Sequence, residues 1–239
     1  MMHVNGVYQS ILFSGLPGVV HGFSSRSLGD ARVPENEAEV VRRITGSDTR
    51  VIGARQVHGA DVAIADSRSP RVIPDVDGVV TILPDTVVEV RVADCVPILL
   101  VDPIAKVAAA VHAGWRGTLA HIARHAVEKM IRAGATGENI YTAIGPHIGR
   151  CCYTVDVDRA EMFLTAFGAD TQNAFLAPDG WRLDLGFINR TELIGAGVPA
   201  HHIDAPIMCT SCQVDTFFSY RKDTKETFGE IIGIIGCTK

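Results

Sequence analysis

The chain has 239 residues, of which 47% are hydrophobic and 21% are charged, as in an ordinary globular protein that folds without disulfides. Its net charge of −5 and its lack of a lysine- and arginine-rich run disfavour nucleic acid as a partner, because binding to the phosphate backbone requires a basic face. Asp102, Pro103 and Lys106 interrupt the most apolar stretch, residues 96–113, so we expect no membrane span.

Short runs rich in valine and isoleucine predict strands at 50–57, 62–65, 78–83, 87–93, 98–101 and 107–111. Apolar residues at helical spacing from Leu119 to Ile131 then predict an amphipathic helix, with Thr118 as its N-cap and Gly134 just after its end. The remaining pattern predicts helices at 155–167 and 185–195 and strands at 140–144, 202–208, 216–220 and 230–235. Strand runs mixed with helices indicate an α+β fold, which we interpret as one domain, residues 1–239.

Three potential metal ligands, His58, Cys95 and His112, follow predicted strands, and a glycine or proline lies close after each. A strand that ends in a sharp turn holds such a side chain at the rim of a sheet. Three strand ends can bring three such side chains together at one point. Two imidazoles and one thiolate suit zinc, and three protein ligands leave its fourth position open for a water whose pKa falls to about 7. Asp94, beside Cys95, would orient a ligand or carry a proton. Spacing alone also allows the alternative of buried or hydrogen-bonded structural residues.

The segment that begins at His112 has the sequence H-A-G-W-R-G-T and places two glycines and Arg116 at the start of a predicted helix. Free backbone N–H groups and the helix dipole favour an anion there. Arg116 would add a bidentate contact to a phosphate or carboxylate. The alternative is a tight turn with a solvated arginine.

Other histidine and cysteine pairs carry weaker signals. His121 and His125 lack the glutamate of H-E-x-x-H, which favours a solvated helix face. The C-x-x-C motif at 209–212 has no second such pair, so buried thiols are favoured over a redox motif or half a metal site, and Cys151–Cys152 are expected to pack in a core. Phosphate-loop, dinucleotide and G-x-S-x-G motifs are absent, which disfavours ATP- or NAD-driven chemistry.

Five sequence blocks in order resemble those of the YfiH-type laccase-domain family. They are Q-V-H-G at 56–59, A-D-C-V-P at 93–97, V-H-A-G-W-R-G-T at 111–118, G-P-H-I-G with C-C-Y at 145–153, and F-F-S-Y-R at 217–221. The resemblance implies a four-layer α-β-β-α sandwich, CNF/YfiH-like, with metal ligands at His58, Cys95 and His112. The block at 21–26 also fits, whereas Ser27-Leu28-Gly29 and Thr154 depart from the family pattern.

The same resemblance implies several activities. Members are described as purine nucleoside phosphorylases that also deaminate adenosine and cleave 5′-methylthioadenosine. Older descriptions call them polyphenol oxidases, and a bacterial branch is called peptidoglycan editing factor. Zinc, which two imidazoles and one thiolate suit, is the expected cofactor, with copper as the alternative metal.

Four functions remain open. The first is a zinc-dependent purine nucleoside enzyme, with catalytic Cys95, Asp94 and His112 and with substrate or phosphate ligands at Arg116, Arg221, Arg26 and Gln56. The second is a copper-dependent polyphenol oxidase, which nine histidines without one H-x-H motif disfavour. The third is a metal-free hydrolase of peptidoglycan precursors, with Cys95 as nucleophile and His112 as its base. The fourth is a zinc- or ligand-binding module without catalysis.

The expected partners follow from the first of these functions. We expect a purine nucleoside and phosphate as small-molecule substrates, no nucleic acid, no membrane, and a monomer or small homo-oligomer. The N-terminal residues lack the basic and apolar regions of a signal peptide, which predicts a cytoplasmic location.

Overall fold

The computed structural model describes residues 1–168 and 173–238, within which the strands form two large sheets and one small sheet. In pairing order, the seven-stranded sheet contains β1 (Met2–Val4), β2 (Val7–Gln9), β3 (Val19–Ser24), β16 (Ile231–Cys237), β8 (Thr86–Val92), β4 (Arg50–Ala54) and β6 (Val72–Ile73). The six-stranded sheet contains β15 (Ile203–Asp204), β11 (Tyr141–Ile144), β9 (Val96–Asp102), β10 (Val107–Ala113), β7 (Gly78–Thr81) and β5 (Val62–Ala65). The small sheet contains β12 (Thr154–Val155), β14 (Gly180–Leu183) and β13 (Ala174–Ala177).

The helices lie in the connections between these strands. They are α1 (Ile11–Ser14), α2 (Pro34–Thr45), α3 (Trp115–Leu119), α4 (Ile122–Arg132), α5 (Val157–Phe167) and α6 (Leu185–Gly195). In the described parts of the chain, no helix combines the length and the apolar character needed to cross a membrane.

The two large sheets pack face to face, because successive side chains of a strand point to opposite faces. In β9, Leu99 faces the other large sheet, whereas Leu100 faces the helical layer formed by α4, α5 and α6. In β16, Ile235 likewise faces the space between the sheets, and Ile234 packs in the core beneath α2. These three buried layers build the four-layer α-β-β-α sandwich and confirm the predicted α+β fold class. The single-domain interpretation stays a prediction.

Several predicted elements agree with the structure. Helix α6 has the predicted bounds, α5 begins two residues later than predicted, and Gly134 follows α4 with the positive φ of 107° that favours glycine after a helix. Thr118 is not the N-cap, because a break between Leu119 and Ile122 divides the predicted helix into α3 and α4. His121 occupies this break with a φ of 60°.

Two predicted strands are wrong in whole or in part. Residues 216–220 form turns rather than a strand, and Phe217 and Phe218 bury their rings in the core between the sheets. Residues 202–208 contain only the short β15. The β-propensity of Phe217 and Phe218 reflects burial of large side chains, which a turn also provides.

The predictions for the minor histidines and cysteines are also corrected. His121 and His125 are half-buried rather than fully solvated: His121 Nδ1 lies 2.7 Å from a Glu192 carboxylate oxygen, and His125 Nδ1 lies 3.2 Å from the carbonyl oxygen of Ala60. Of the cysteines at 151, 152, 209 and 212, only Cys209 is buried; Cys151 and Cys212 are exposed and Cys152 is half-buried, so packing in the core does not explain these three.

Candidate active site

Cys95 and His112 meet because of the register of one hairpin. In the antiparallel pair of β9 and β10, Ala113 pairs with Val96 and His112 with Pro97. Cys95 directly precedes β9, so it lies at the same end of the hairpin as His112. His112 is inside β10 rather than after it, because β10 extends two residues beyond its predicted end.

A buried aspartate, Asp77, holds the third ligand loop against this hairpin. Its carboxylate accepts the backbone N–H groups of Val57, His58 and Gly59 at 3.1, 2.9 and 2.7 Å. One of its oxygens also lies 2.7 Å from Nδ1 of His112. When Nδ1 donates this bond, Nε2 of His112 is left to bind a metal. Sequence reasoning missed Asp77, and its position directly before the buried strand β7 was the available signal.

The three predicted ligands fit a metal ion. The nearest ligand atoms of His58, Cys95 and His112 all lie within 4.8 Å of one another, and the two imidazole rings are perpendicular with centroids 4.8 Å apart. A Cβ at Gly114 would lie 3.1 Å from the His58 ring, 3.3 Å from the Cys95 sulfur and 3.5 Å from the His112 ring. Glycine therefore keeps open the space that the three side chains surround. Two imidazoles and one thiolate suit zinc and leave a coordination position for a further ligand.

The electrostatics of the cluster favour a deprotonated thiol. Burial raises the pKa of Cys95, but hydrogen bonds and charge interactions with His112 and His58 outweigh burial and lower it to about 7. Burial lowers the pKa of His112, but the contacts with Asp77 and Cys95 outweigh it and raise it to about 9. Without a metal, both shifts favour a thiolate at Cys95 beside an imidazolium at His112. Metal ligation instead requires a thiolate with a neutral imidazole.

Asp94 holds two distant loops beside Cys95. Its carboxylate accepts the Thr210 hydroxyl at 2.5 Å, the Ser219 hydroxyl at 3.1 Å and the backbone N–H of Arg221 at 2.8 Å. Its backbone carbonyl accepts the N–H of Ile148 at 2.9 Å. Of the two roles expected for Asp94, these contacts favour orientation of the site over proton transfer.

The cluster lies in a cavity of about 570 Å³, a volume typical of small-molecule sites. Two guanidinium groups lie beside the indole of Trp115, that of Arg116 at 4.6 Å and that of Arg159 at 4.5 Å from the ring centroid. The other cationic and aromatic side chains of the lining are Arg91, Arg221, Tyr153, Tyr220 and Phe228. Positive charge beside exposed aromatic rings suits an anionic group attached to, or bound next to, a planar ring system.

The other predicted ligands have different surroundings. The amide of Gln56 lines the cavity but is engaged with the backbone of Arg91, donating at 2.8 Å and accepting at 3.0 Å. The structure does not bring Arg26 to the cavity lining, because its guanidinium binds both carboxylate oxygens of Asp223 at 2.7 Å and stacks over Phe218. Arg26 therefore fixes the loop that follows the Ser219 region.

The predicted anion site at a helix start is only partly realised. Helix α3 begins at Trp115 with Gly114 as its N-cap, but it is five residues long. A Cβ at Gly117 would lie 2.5 Å from the carbonyl oxygen of Gly59, so this glycine permits close contact between α3 and the His58 loop. The arginines of the cavity, rather than the short helix, provide its positive charge.

Sandwich fold, ligand cluster and sequence blocks together define the YfiH-type laccase-domain class. Residues 24–238 match the family described as multi-copper polyphenol oxidoreductase laccase, and the chain belongs to this family. It is 36% identical over 223 residues to "Purine nucleoside phosphorylase YlmD" of Geobacillus stearothermophilus, covering 87% of this chain and 81% of that protein. It is 39% identical over 178 residues to "Adenosine deaminase RL5" of an unknown prokaryotic organism, covering 70% of this chain and 68% of that protein.

A solved structure also supports membership of this family. The crystal structure of YlmD from Geobacillus stearothermophilus superposes with a TM-score of 0.87 and 31% sequence identity, covering all of this chain and 98% of that chain. The family is thus one of enzymes, as the names of its curated members state.

Proposed function

We propose that this protein is a zinc-dependent purine nucleoside enzyme. It would deaminate adenosine and phosphorolyse adenosine, inosine, guanosine and 5′-methylthioadenosine. The observation that carries the proposal is the convergence of His58, Cys95 and His112 in a cavity lined by arginine and aromatic side chains. Relatives named as a purine nucleoside phosphorylase and an adenosine deaminase support the substrate class.

The cavity residues divide into two groups that suit a nucleoside and a phosphate. The ring of Tyr220, which lines the cavity and is exposed, can stack on a purine base. Arg116 and Arg159, both beside the ring of Trp115, can donate hydrogen bonds to phosphate oxygens. Arg221 lies on the same cavity, 5.5 Å from the ring of Tyr153, and adds a third cation.

His58, Cys95 and His112 would hold the zinc, which when bound activates water and polarises an adjacent group of the substrate. Asp77 would fix the His112 tautomer with Nε2 free for the metal, and it holds the His58 loop through the backbone N–H of His58. The carboxyl of Glu230 also lines the cavity, and burial raises its pKa, so this group holds a proton more readily than a solvated glutamate.

The test is incubation of the zinc-loaded protein with adenosine, with and without phosphate, followed by chromatography of the products. We expect inosine in both samples and the free bases adenine and hypoxanthine only when phosphate is present. Cys95→Ala should lose both activities. Cys237→Ala is the matched control, because Cys237 lies in β16 away from the cavity lining. No product from fully zinc-loaded wild-type protein would refute the proposal.

A thiol hydrolase is the second candidate, because Cys95, His112 and Asp77 also form a cysteine–histidine–aspartate arrangement. Cys95 would be the nucleophile, His112 its base and Asp77 the group that orients the base. Peptidoglycan precursors are the substrates to test. His58 separates the candidates: His58→Gln should abolish a zinc-dependent activity but leave a thiol hydrolase active in zinc-free buffer.

A further inference from the structure

Four cysteines from two distant segments meet at a second location. Cys151 and Cys152 follow the G-P-H-I-G segment, and Cys209 and Cys212 form the C-x-x-C motif near the C-terminus. Their four sulfur atoms all lie within 4.8 Å of one another. The sulfur of Cys212 is 3.5 Å from that of Cys151 and 3.3 Å from that of Cys152.

These separations match a tetrahedral metal site. Four thiolates at about 2.3 Å from a central zinc lie about 3.8 Å from one another, as the tetrahedral angle requires. The sulfurs of the cluster are spaced around this value rather than at the 2.03–2.05 Å of a disulfide. Each of the four cysteines is a free thiol.

The backbone fixes both cysteine pairs. The turn that carries the first pair is closed by the N–H of Cys152, which donates to the carbonyl of Gly149 at 2.9 Å. The second turn is closed by the N–H of Gln213, which donates to the carbonyl of Cys209 at 3.0 Å. A β-bridge between His147 and Cys209 joins the two segments. The ligand atoms are therefore gathered by rigid backbone and not by flexible side chains alone.

The surroundings of the cluster suit negatively charged sulfur. The backbone N–H of Gly149 donates to the sulfur of Cys209 at 3.2 Å. A Cβ at Gly149 would lie 3.2 Å from Cys209 and 3.3 Å from the sulfur of Cys151, so glycine permits this close approach. Four thiolates around a divalent cation leave a net charge of −2, and the guanidinium of Arg182, bonded to the carbonyl of Cys151, lies beside it.

We propose that Cys151, Cys152, Cys209 and Cys212 bind a structural zinc ion, separate from the ion proposed in the cavity. Four protein thiolates complete a tetrahedral shell and leave no position for substrate, and binding releases the four thiol protons to solvent. The ion would clamp together two turns that reach the active site, since Tyr153 lines the cavity and Thr210 binds Asp94. This proposal does not depend on the nucleoside activity.

The first experiment measures zinc per chain by elemental analysis, with metal-free protein reloaded with zinc under reducing conditions. We expect about two zinc ions in the wild type, about one in Cys95→Ala and about one in Cys212→Ser. Cys212 is exposed, so this substitution is the least disruptive to folding. Cys237→Ala, which removes a cysteine outside both clusters, should retain about two.

X-ray absorption of the Cys95→Ala protein identifies the ligands without altering the four-cysteine cluster. We expect four sulfur neighbours at about 2.3 Å from zinc, with no nitrogen neighbours. Zinc-free Cys95→Ala, a second zinc site with nitrogen ligands, or a disulfide within the cluster in the reduced protein would overturn the proposal. None of these results depends on enzymatic turnover, so a failure here is distinguishable from a failure of the proposed function.

Discussion

Replacing Asp77 with asparagine keeps the shape of the side chain but removes half of its capacity to accept hydrogen bonds. One carboxylate oxygen accepts from the backbone of His58 and contacts Nδ1 of His112, and the other accepts from the backbones of Val57 and Gly59. An asparagine has one oxygen, so in either orientation its NH₂ group faces two of these four partners. If the NH₂ group faces Val57 and Gly59, both of their bonds are lost; if it faces His58 and His112, the His58 bond is lost and His112 keeps a contact only as an acceptor at Nδ1.

The magnitude has two parts. Leaving buried donors unpaired costs about 1–3 kcal/mol each, so we expect the unfolding free energy to fall by about 3 kcal/mol. If the NH₂ group faces His112, the ring must carry its proton on Nε2, the atom proposed to bind zinc. Loss of such a support for a ligating histidine weakens metal affinity by about 10–100-fold.

The assay is zinc competition against a chromophoric chelator, combined with urea unfolding of the metal-free proteins. Asp61→Asn is the matched control, because Asp61 is an exposed aspartate in the same region of the chain. We expect the control to resemble the wild type in both measurements. Equal zinc affinity in Asp77→Asn and Asp61→Asn would show that Asp77 does not set the ligand geometry and would refute the reasoning.

Three further perturbations test other parts of the structure. Gly114→Ala places a Cβ 3.1–3.5 Å from all three proposed ligands, so it should reduce zinc affinity in the same competition assay. Unchanged affinity would show that the three side chains can shift to accommodate a methyl group. Arg159→Gln removes one cation beside Trp115. It should raise the KM for phosphate about 10–100-fold, with a smaller effect on deamination, because a charged hydrogen bond contributes about 1.5–3 kcal/mol. Equal losses in both reactions would contradict a phosphate role. Burial lowers the pKa of His21 from 6.5 to about 4, so the unfolded chain binds a proton that the folded chain does not. Stability should therefore fall by about 3 kcal/mol between pH 6.5 and 4, and His21→Gln, which can still accept the Ser10 N–H, should lose this part of the pH dependence in urea unfolding.

The sequence was sufficient to predict the central strands and the helices that cover them, because their periodicity reflects burial on one face. The periodicity of apolar residues did not reveal every helix. Helix α2 was not predicted, although Pro34 at its first turn, glutamates near its start and arginines near its end are all typical of a helix. Its apolar face consists of Val40, Val41 and Ile44, which is too short a stripe to stand out by periodicity alone.

The ligand triplet was proposed from residue type, but its assembly depends on long-range register. The pairing of β9 with β10 brings Cys95 to the same end of the hairpin as His112, and no local pattern encodes this pairing. Arg159 was missed for a related reason: it lies on α5 and reaches the cavity by stacking on Trp115 of α3. Arg26 shows the opposite error: it belongs to a block that fits the family, but its guanidinium pairs with Asp223 and does not line the cavity.

Two buried aspartates explain why the sequence blocks that resemble the family are arranged around one cavity. Asp77 joins the Q-V-H-G block to the block that contains His112, through bonds to three backbone N–H groups and one imidazole. Asp94 joins its own block to the G-P-H-I-G block through Ile148, and to the F-F-S-Y-R block through Ser219 and the backbone of Arg221.

A buried carboxylate is costly unless its partners are in place, so each aspartate disfavours any arrangement that separates the blocks it joins. The proposed zinc site of the four cysteines lies next to the blocks that Asp94 joins, since Cys209 directly precedes Thr210, whose hydroxyl donates to Asp94. Removal of zinc from the four cysteines should therefore loosen the Asp94 contacts before it affects the Asp77 contacts. Hydrogen exchange in the Cys95→Ala protein, with and without a chelator, measures this order directly. Chelation should accelerate exchange of the Arg221 N–H more than exchange of the Gly59 N–H. Equal acceleration of both would show that the two aspartates do not act independently.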